Sequence, residues 1–262
     1  MPGMRHKGVD SPMSGHSKWH NIRLRKGRQD AERGKMFTKV AREIIVTARE
    51  GGGNPDTNMR LRLVIQKARD VSMPADNIKR AVQRGAGGIE GAHYEQVSYE
   101  GYAPGGVAVM VSCLTDNRNR TVADLRAIFS KNGGSLGESG CVAWLFDSKG
   151  VVIIQKDAVD EDTLMLAALD AGAEDIRTEG DTYEVLSSPD GLPNLRQALT
   201  DAGIQFVSAE VTIVPKSTVR VEGKEARQVL RLMDQLEDHE DVQQVYANFD
   251  IPEEILEAAA AG

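Results

Sequence analysis

The chain has 262 residues, of which 40% are hydrophobic, 27% charged and only 5% aromatic, with a net charge of −7. That length calls for two or three domains with aliphatic cores, and the composition excludes a disordered chain, a membrane bundle and a coiled coil. Two cysteines, Cys113 and Cys141, are too few for a disulfide scaffold or a four-ligand zinc cluster, so they read as buried thiols of a reducing compartment.

The first twelve residues lack the apolar stretch of a secretory signal and no run approaches 18 apolar residues, which points to a cytoplasmic protein with no membrane partner. Met13 is a candidate start, with residues 1–12 a disordered extension. Charge is unevenly distributed. Residues 1–87 hold 19 Lys and Arg against 8 Asp and Glu, whereas 88–262 hold 13 against 31. A basic front end on an acidic body suits a polyanionic partner.

In chain order, residues 28–50 are expected to form a helix, with Phe37, Val40, Ala41, Ile44, Ile45 and Ala48 at helical spacing and Gly51-Gly52-Gly53 to stop it. A second helix is expected over 57–71, and a third from Pro74, suited to a first turn, to Gly85. Together they make a helical basic domain over 13–90. Strands follow at 97–102 and 107–114, joined by Pro104-Gly105-Gly106, then a helix over 121–132 and a strand over 141–146. Residues 150–214 read strand, helix, strand, strand, helix, strand, the order of a ferredoxin-like sandwich. A helix over 223–240 and a strand over 242–249 complete the chain, before a C-terminal tail at 253–262.

The segment 91–149 lacks a closing helix and strand, which 215–252 supplies. The fold class is therefore α+β with three domains: an all-helical N-terminal domain and two α/β, ferredoxin-like sandwiches. The third (150–214) is inserted into the discontinuous second (91–149 plus 215–252).

The densest chemistry lies between His16 and Arg42, with nine Lys or Arg and two acids. Lys18, Trp19, Arg23, Arg25, Lys26, Arg28, Arg33, Lys35 and Lys39 are the candidate nucleic-acid contacts, since cations on a helix approach engage phosphates. Trp19 suits base stacking or, equally, a staple on the first helix. A second candidate is the loop Thr115–Thr121, where Arg118 and Arg120 sit beside Asn117 and Asn119 at a helix start. The alternative there is a polar cap formed by Asn119 or Thr121.

Catalytic, metal and cofactor signatures are missing. Gly34-Lys35 is followed by Met36 and makes no phosphate loop, Gly85-Ala86-Gly87 lacks the third glycine of a dinucleotide fingerprint, and His16 and His20 lack the intervening Glu of a zinc protease. The run Glu237–Asp241 reads as a solvated helix end. A metal-dependent nuclease built on that run, and a scaffold whose acidic domain binds a basic partner, are the rival readings.

Several segments are recognisable in order: Gly15–Trp19, Arg33–Lys39, Ala41–Ile44, Gly52–Pro55, Asn58–Leu63, Met73–Ala81, Tyr99–Gly106, Thr115–Thr121 and Asp241–Asn248. They resemble the YebC family of probable transcriptional regulatory proteins, which includes the mitochondrial translational activator of cytochrome oxidase. The resemblance covers nearly all the chain from Met13. It implies three domains around an open cleft and a cytoplasmic regulator of gene expression, which the missing catalytic signatures make non-enzymatic and which is expected to be a monomer. Such a regulator either binds DNA or works on the ribosome, through ribosomal RNA, to assist synthesis through proline stretches.

Overall fold

The computed structural model describes residues 29–87 and 93–261. Its contacts divide these into two compact units, one of 144–220 with 248–250, the other of the remaining described residues.

The larger unit begins with three helices, α1 (Gln29–Gly51), α2 (Met59–Asp70) and α3 (Ala75–Gly85). Their apolar positions meet in one cluster that includes Val40, Ile44, Ala48, Leu61, Val64, Ala68, Ile78 and Ala81. Asn58 sets the α1–α2 corner. Its side-chain oxygen accepts from the Leu61 N–H, capping α2, while its amide donates to the carbonyls of Thr47 and Gly52. Near the same end of α1, the helix is closely approached by α3. A Cβ on Gly85 would lie 2.4 Å from the Ile45 carbonyl oxygen and 2.7 Å from the Ala48 Cβ, so only glycine permits this approach.

A sheet follows. β1 (Glu95–Ala103) and β2 (Val107–Thr115) form an antiparallel hairpin through Pro104–Gly106, where Gly105 and Gly106 both have positive φ. Next come α4 (Arg118–Lys131), β3 (Ser135–Leu136), α7 (Gly223–Asp238), β9 (Val242–Ala247) and the closing helix α8 (Glu253–Ala261). The strand order is β3-β1-β2-β9, all antiparallel. Leu125 and Phe129 of α4, with Val229, Met233 and Leu236 of α7, are fully buried, as are Val109, Val111 and Cys113 of β2.

Counted from β2, this order is that of a ferredoxin-like sandwich whose third strand, β1, arrives from the front of the chain. The place that strand would normally take in sequence, between β3 and α7, holds the inserted unit. Glu100 pins the loop after β3: its buried carboxylate accepts from the N–H groups of Gly140, Val142 and Ala143.

The smaller unit contains β4 (Phe146–Gln155), α5 (Glu161–Asp170), β5 (Asp175–Glu179), β6 (Thr182–Ser187), α6 (Leu192–Asp201), β7 (Ser208–Pro215) and a parallel pair, β8 (Val219–Arg220) with β10 (Phe249–Asp250). Its four-stranded sheet has the order β5-β6-β4-β7, antiparallel throughout, as the βαββαβ pattern requires. Leu164, Ala168, Leu195 and Leu199 close its core over Val152, Ile154 and Val185.

Several expectations are corrected. The strand expected at 141–146 is not formed: a bend and a 3-10 turn at Ala143–Leu145 stand there, and β4 starts only at Phe146, extending the first strand expected in 150–214 toward the N-terminus. Within the tail at 253–262, Glu253–Ala261 is helical, and Ile251 and Leu256 are buried. The helix expected from Thr121 starts three residues earlier, since Asn117, not Asn119 or Thr121, provides the cap. Arg118 and Arg120 thus occupy the first helical turn and not a loop.

Candidate nucleic-acid interface

Lys35, Lys39 and Arg42 stand four and three residues apart, which places them on one stripe of α1. The stripe faces the C-terminal end of α7, where helix-end carbonyls and four acids, Glu237, Asp238, Glu240 and Asp241, concentrate negative charge. Lys35 pairs with Asp238 at 3.1 Å with both side chains half exposed. The Lys39 ammonium donates to the Glu237 carbonyl. Arg42 donates to the Glu240 carboxylate at 3.0 Å and to Asp241 at 2.7 Å. Its guanidinium also lies 5.2 Å from the ring centroid of Tyr94.

Asp241 is the centre of this cluster and is completely buried. Its carboxylate accepts from Arg42, from Arg120 at 3.0 Å, from the Thr121 hydroxyl at 2.7 Å and from the Thr115 hydroxyl at 3.3 Å. Its own N–H donates to His239 Nδ1. Burial alone would raise the Asp241 carboxyl, but the Thr121 and Arg120 hydrogen bonds and the Arg42 charge outweigh it and hold the group below the usual carboxylate range. The sequence reading of 237–241 as a solvated helix end is therefore corrected at Asp241. Nothing in the local sequence separates Asp241 from its exposed neighbours, because its partners lie 120 to 199 positions away.

Arg120 bridges Asp241 and Asp116, and its guanidinium is held even more firmly in the charged form by those two carboxylates. Arg118 pairs with Glu95 at 2.7 Å on the surface. Of the residues singled out in the sequence, Lys18, Trp19, Arg23, Arg25, Lys26 and Arg28 lie outside the described residues, as does the side chain of Arg33. The four that are described, Lys35, Lys39, Arg118 and Arg120, all engage acceptors of the chain itself.

A second set of cations, not singled out in the sequence, points away from the core on α2 and α3. Arg69, Lys79 and Arg84 are exposed, and their side chains make no hydrogen bond or ion pair among the described residues. Arg80 beside them meets the Asn77 side chain and the Asp76 carbonyl, and Arg62 the carbonyls of Pro55 and Asp56 with the Asp56 carboxylate 3.8 Å away. Arg80 and Arg84 share one helical face, and Arg62 and Arg69 share another. The available signal was the exposed spacing on helices whose apolar faces were already legible. Among the described residues no three His, Cys, Asp or Glu side chains come together in a way that could hold a metal ion, and no helix is long and apolar enough to cross a membrane.

The family model described as "TACO1/YebC protein N-terminal domain" matches residues 17–88, and that described as "TACO1/YebC second and third domain" matches residues 94–249. A "Probable transcriptional regulatory protein" of Dictyoglomus turgidum is 56% identical over 247 residues, covering 94% of this chain and 99% of its own. One of the same description from Rubrobacter xylanophilus is 55% identical, covering 95% and 100%. Among solved structures, a conserved hypothetical protein from Aquifex aeolicus is 47% identical with a TM-score of 0.75, covering 87% of this chain and 94% of that one.

Proposed function

Because the chain belongs to the TACO1/YebC family, we propose that it is a non-enzymatic, nucleic-acid-binding regulator of gene expression. It works in the cytoplasm as a monomer and meets its polyanion through the helical module. The observation that carries this reading is the outward set on α2 and α3. Arg69, Lys79 and Arg84 hold their positive charge in water, and the sequence adds further cations in the segment 16–28. Cations already satisfied internally, such as Arg42 and Arg120, gain little from a phosphate, whereas unpaired ones release counterions when they meet it.

The relatives are described as probable transcriptional regulatory proteins, and a DNA-binding role in transcription is the first reading. A second reading, a ribosome-associated factor that binds ribosomal RNA and assists synthesis through proline stretches, is favoured by the distribution of the cations. Sequence readout of duplex DNA needs several side chains of one helix aimed into a groove, whereas these are spread over two helices and address backbone and shape.

The test measures fluorescence anisotropy of a labelled RNA hairpin and a labelled DNA duplex across a salt series. The triple variant Arg69→Ala/Lys79→Ala/Arg84→Ala is compared with Arg23→Ala/Arg25→Ala/Lys26→Ala. Each should weaken binding and reduce the slope of log affinity against log salt by about two to three. Affinity within about twofold of wild type for both triples overturns the proposal, and metal-dependent turnover of either probe overturns its non-enzymatic part. Crosslinking in cells followed by sequencing separates the two targets: a dominant ribosomal RNA peak selects RNA.

A further inference from the structure

The inserted unit carries a surface that the nucleic-acid reading leaves unused. Helix α5 has the sequence Leu164-Met165-Leu166-Ala167-Ala168-Leu169 at its centre, apolar without a polar side. A helix of a small sandwich needs only one apolar stripe, and here Leu164 and Ala168 supply it, both fully buried. Leu166 and Leu169 lie on the opposite side, 70% and 55% exposed, and Met165 beside them is 42% exposed. They form one contiguous ridge, because positions three and four apart are neighbours on a helix. Asp162 continues the same line toward the N-terminus, and Glu161 and Asp170 flank it.

The surrounding charge is lopsided. Residues 150–214 hold 13 acidic side chains and three basic ones, Lys156, Arg177 and Arg196. Those three are occupied: Lys156 over the Tyr183 ring, Arg196 over the Phe206 ring, and Arg177 with Asp175 and Glu184. An apolar ridge in such a field repels nucleic acid, anionic lipid and a second copy of itself, all of which bring negative charge. It attracts a chain that offers apolar side chains among Lys and Arg.

We propose that the outer face of α5, centred on Leu166 and Leu169, is the docking site of a basic segment of another protein. The segment inserts apolar side chains between Met165, Leu166 and Leu169. Its cations meet Glu161, Asp162 and Asp170, and the acids steer the encounter while the ridge holds the complex. The regulator thus has two contacts of opposite sign: a cationic helical module for nucleic acid and an anionic, apolar helix for protein. This inference stands independently of which nucleic acid the helical module binds.

The test uses the full chain and a fluorescein-labelled synthetic peptide with leucines at helical spacing and lysines elsewhere. Its counterpart carries glutamates in place of lysines. The lysine peptide should bind at moderate salt, weaken as salt rises, and lose about tenfold or more in affinity to Leu166→Gln/Leu169→Gln. These positions are exposed, so the variant keeps its fold, checked by an unchanged melting temperature and unchanged nucleic-acid affinity. Val207→Gln/Val211→Gln, which removes exposed apolar groups elsewhere in the same unit, should leave peptide binding as it is. Equal binding of the lysine peptide to wild type and Leu166→Gln/Leu169→Gln overturns the proposal. So does equal binding of the glutamate peptide, or sedimentation showing a dimer that the same double variant dissociates, since the occupant is then a second copy.

Discussion

Changing Asp241 to Ala removes the one group on which Arg42, Arg120, Thr115 and Thr121 converge. Arg120 is 42% exposed and keeps Asp116, so its loss is small. Arg42 is the costly one, because its side chain is 9% exposed and its Nε has no partner among the described residues. What remains for it is the Tyr94 ring and Glu240, itself 61% exposed and well solvated. Stripping one partner from a buried pair costs about 3 to 5 kcal/mol, and the surviving Glu240 contact places this case near the lower end, at about 3 kcal/mol. For a cooperative unit of this size the melting temperature should fall by about 6 to 12 °C.

The assay is thermal unfolding followed by circular dichroism, with urea titration to obtain the free energy. Arg42→Met in the Asp241→Ala background should recover much of the loss, because no uncompensated charge is then left inside. Acid supplies a second check. The Asp241 carboxyl titrates below its unfolded value, so its stabilisation is complete above about pH 4 and fades as pH falls through the folded value. The gap between wild type and Asp241→Asn should accordingly narrow below about pH 4. A melting temperature lowered by less than about 2 °C in Asp241→Ala, or strict additivity in the double variant, refutes this reasoning.

Two further outcomes follow from close contacts and burial. Gly85→Ala should destabilise the helical module by about 1 to 3 kcal/mol, since its Cβ is driven into the Ile45 carbonyl and backbone must shift; an unchanged urea midpoint would show that α1 and α3 are further apart than described. Burial, with Asp241 nearby, pushes the Cys113 thiol up to about 12, and burial also raises Cys141. In native protein near neutral pH, Cys113 should resist iodoacetamide and become reactive only on unfolding, measured by mass spectrometry; rapid native labelling at Cys113 would contradict its place in the sheet core.

The ends and faces of most elements were legible in the residues themselves. Ile44, Leu61 and Ile78 fall on apolar stripes, Gly51–Gly53 and Pro74 punctuate the helices, and the hairpin at Pro104–Gly106 announces itself through its glycines. The βαββαβ order of the insertion was equally readable, because each of its strands and helices carries its own period. Where α4 begins was harder. Asn117, Asn119 and Thr121 are all competent caps, and only the packing of Thr121 against Asp241 selects among them.

Chain chemistry alone determined that this protein has a cationic front and an anionic remainder, and that its segments can form helices and strands of a given polarity. Charge and periodicity are local sums, and they survive without a fold. Only tertiary structure decided which cations are committed and which remain available. Arg42 meets Asp241 from 199 positions away, whereas Arg69, Lys79 and Arg84 stay in water. The physical reason is that a carboxylate's worth depends on its burial and on every donor packed around it, and those are set by which surfaces the chain brings together.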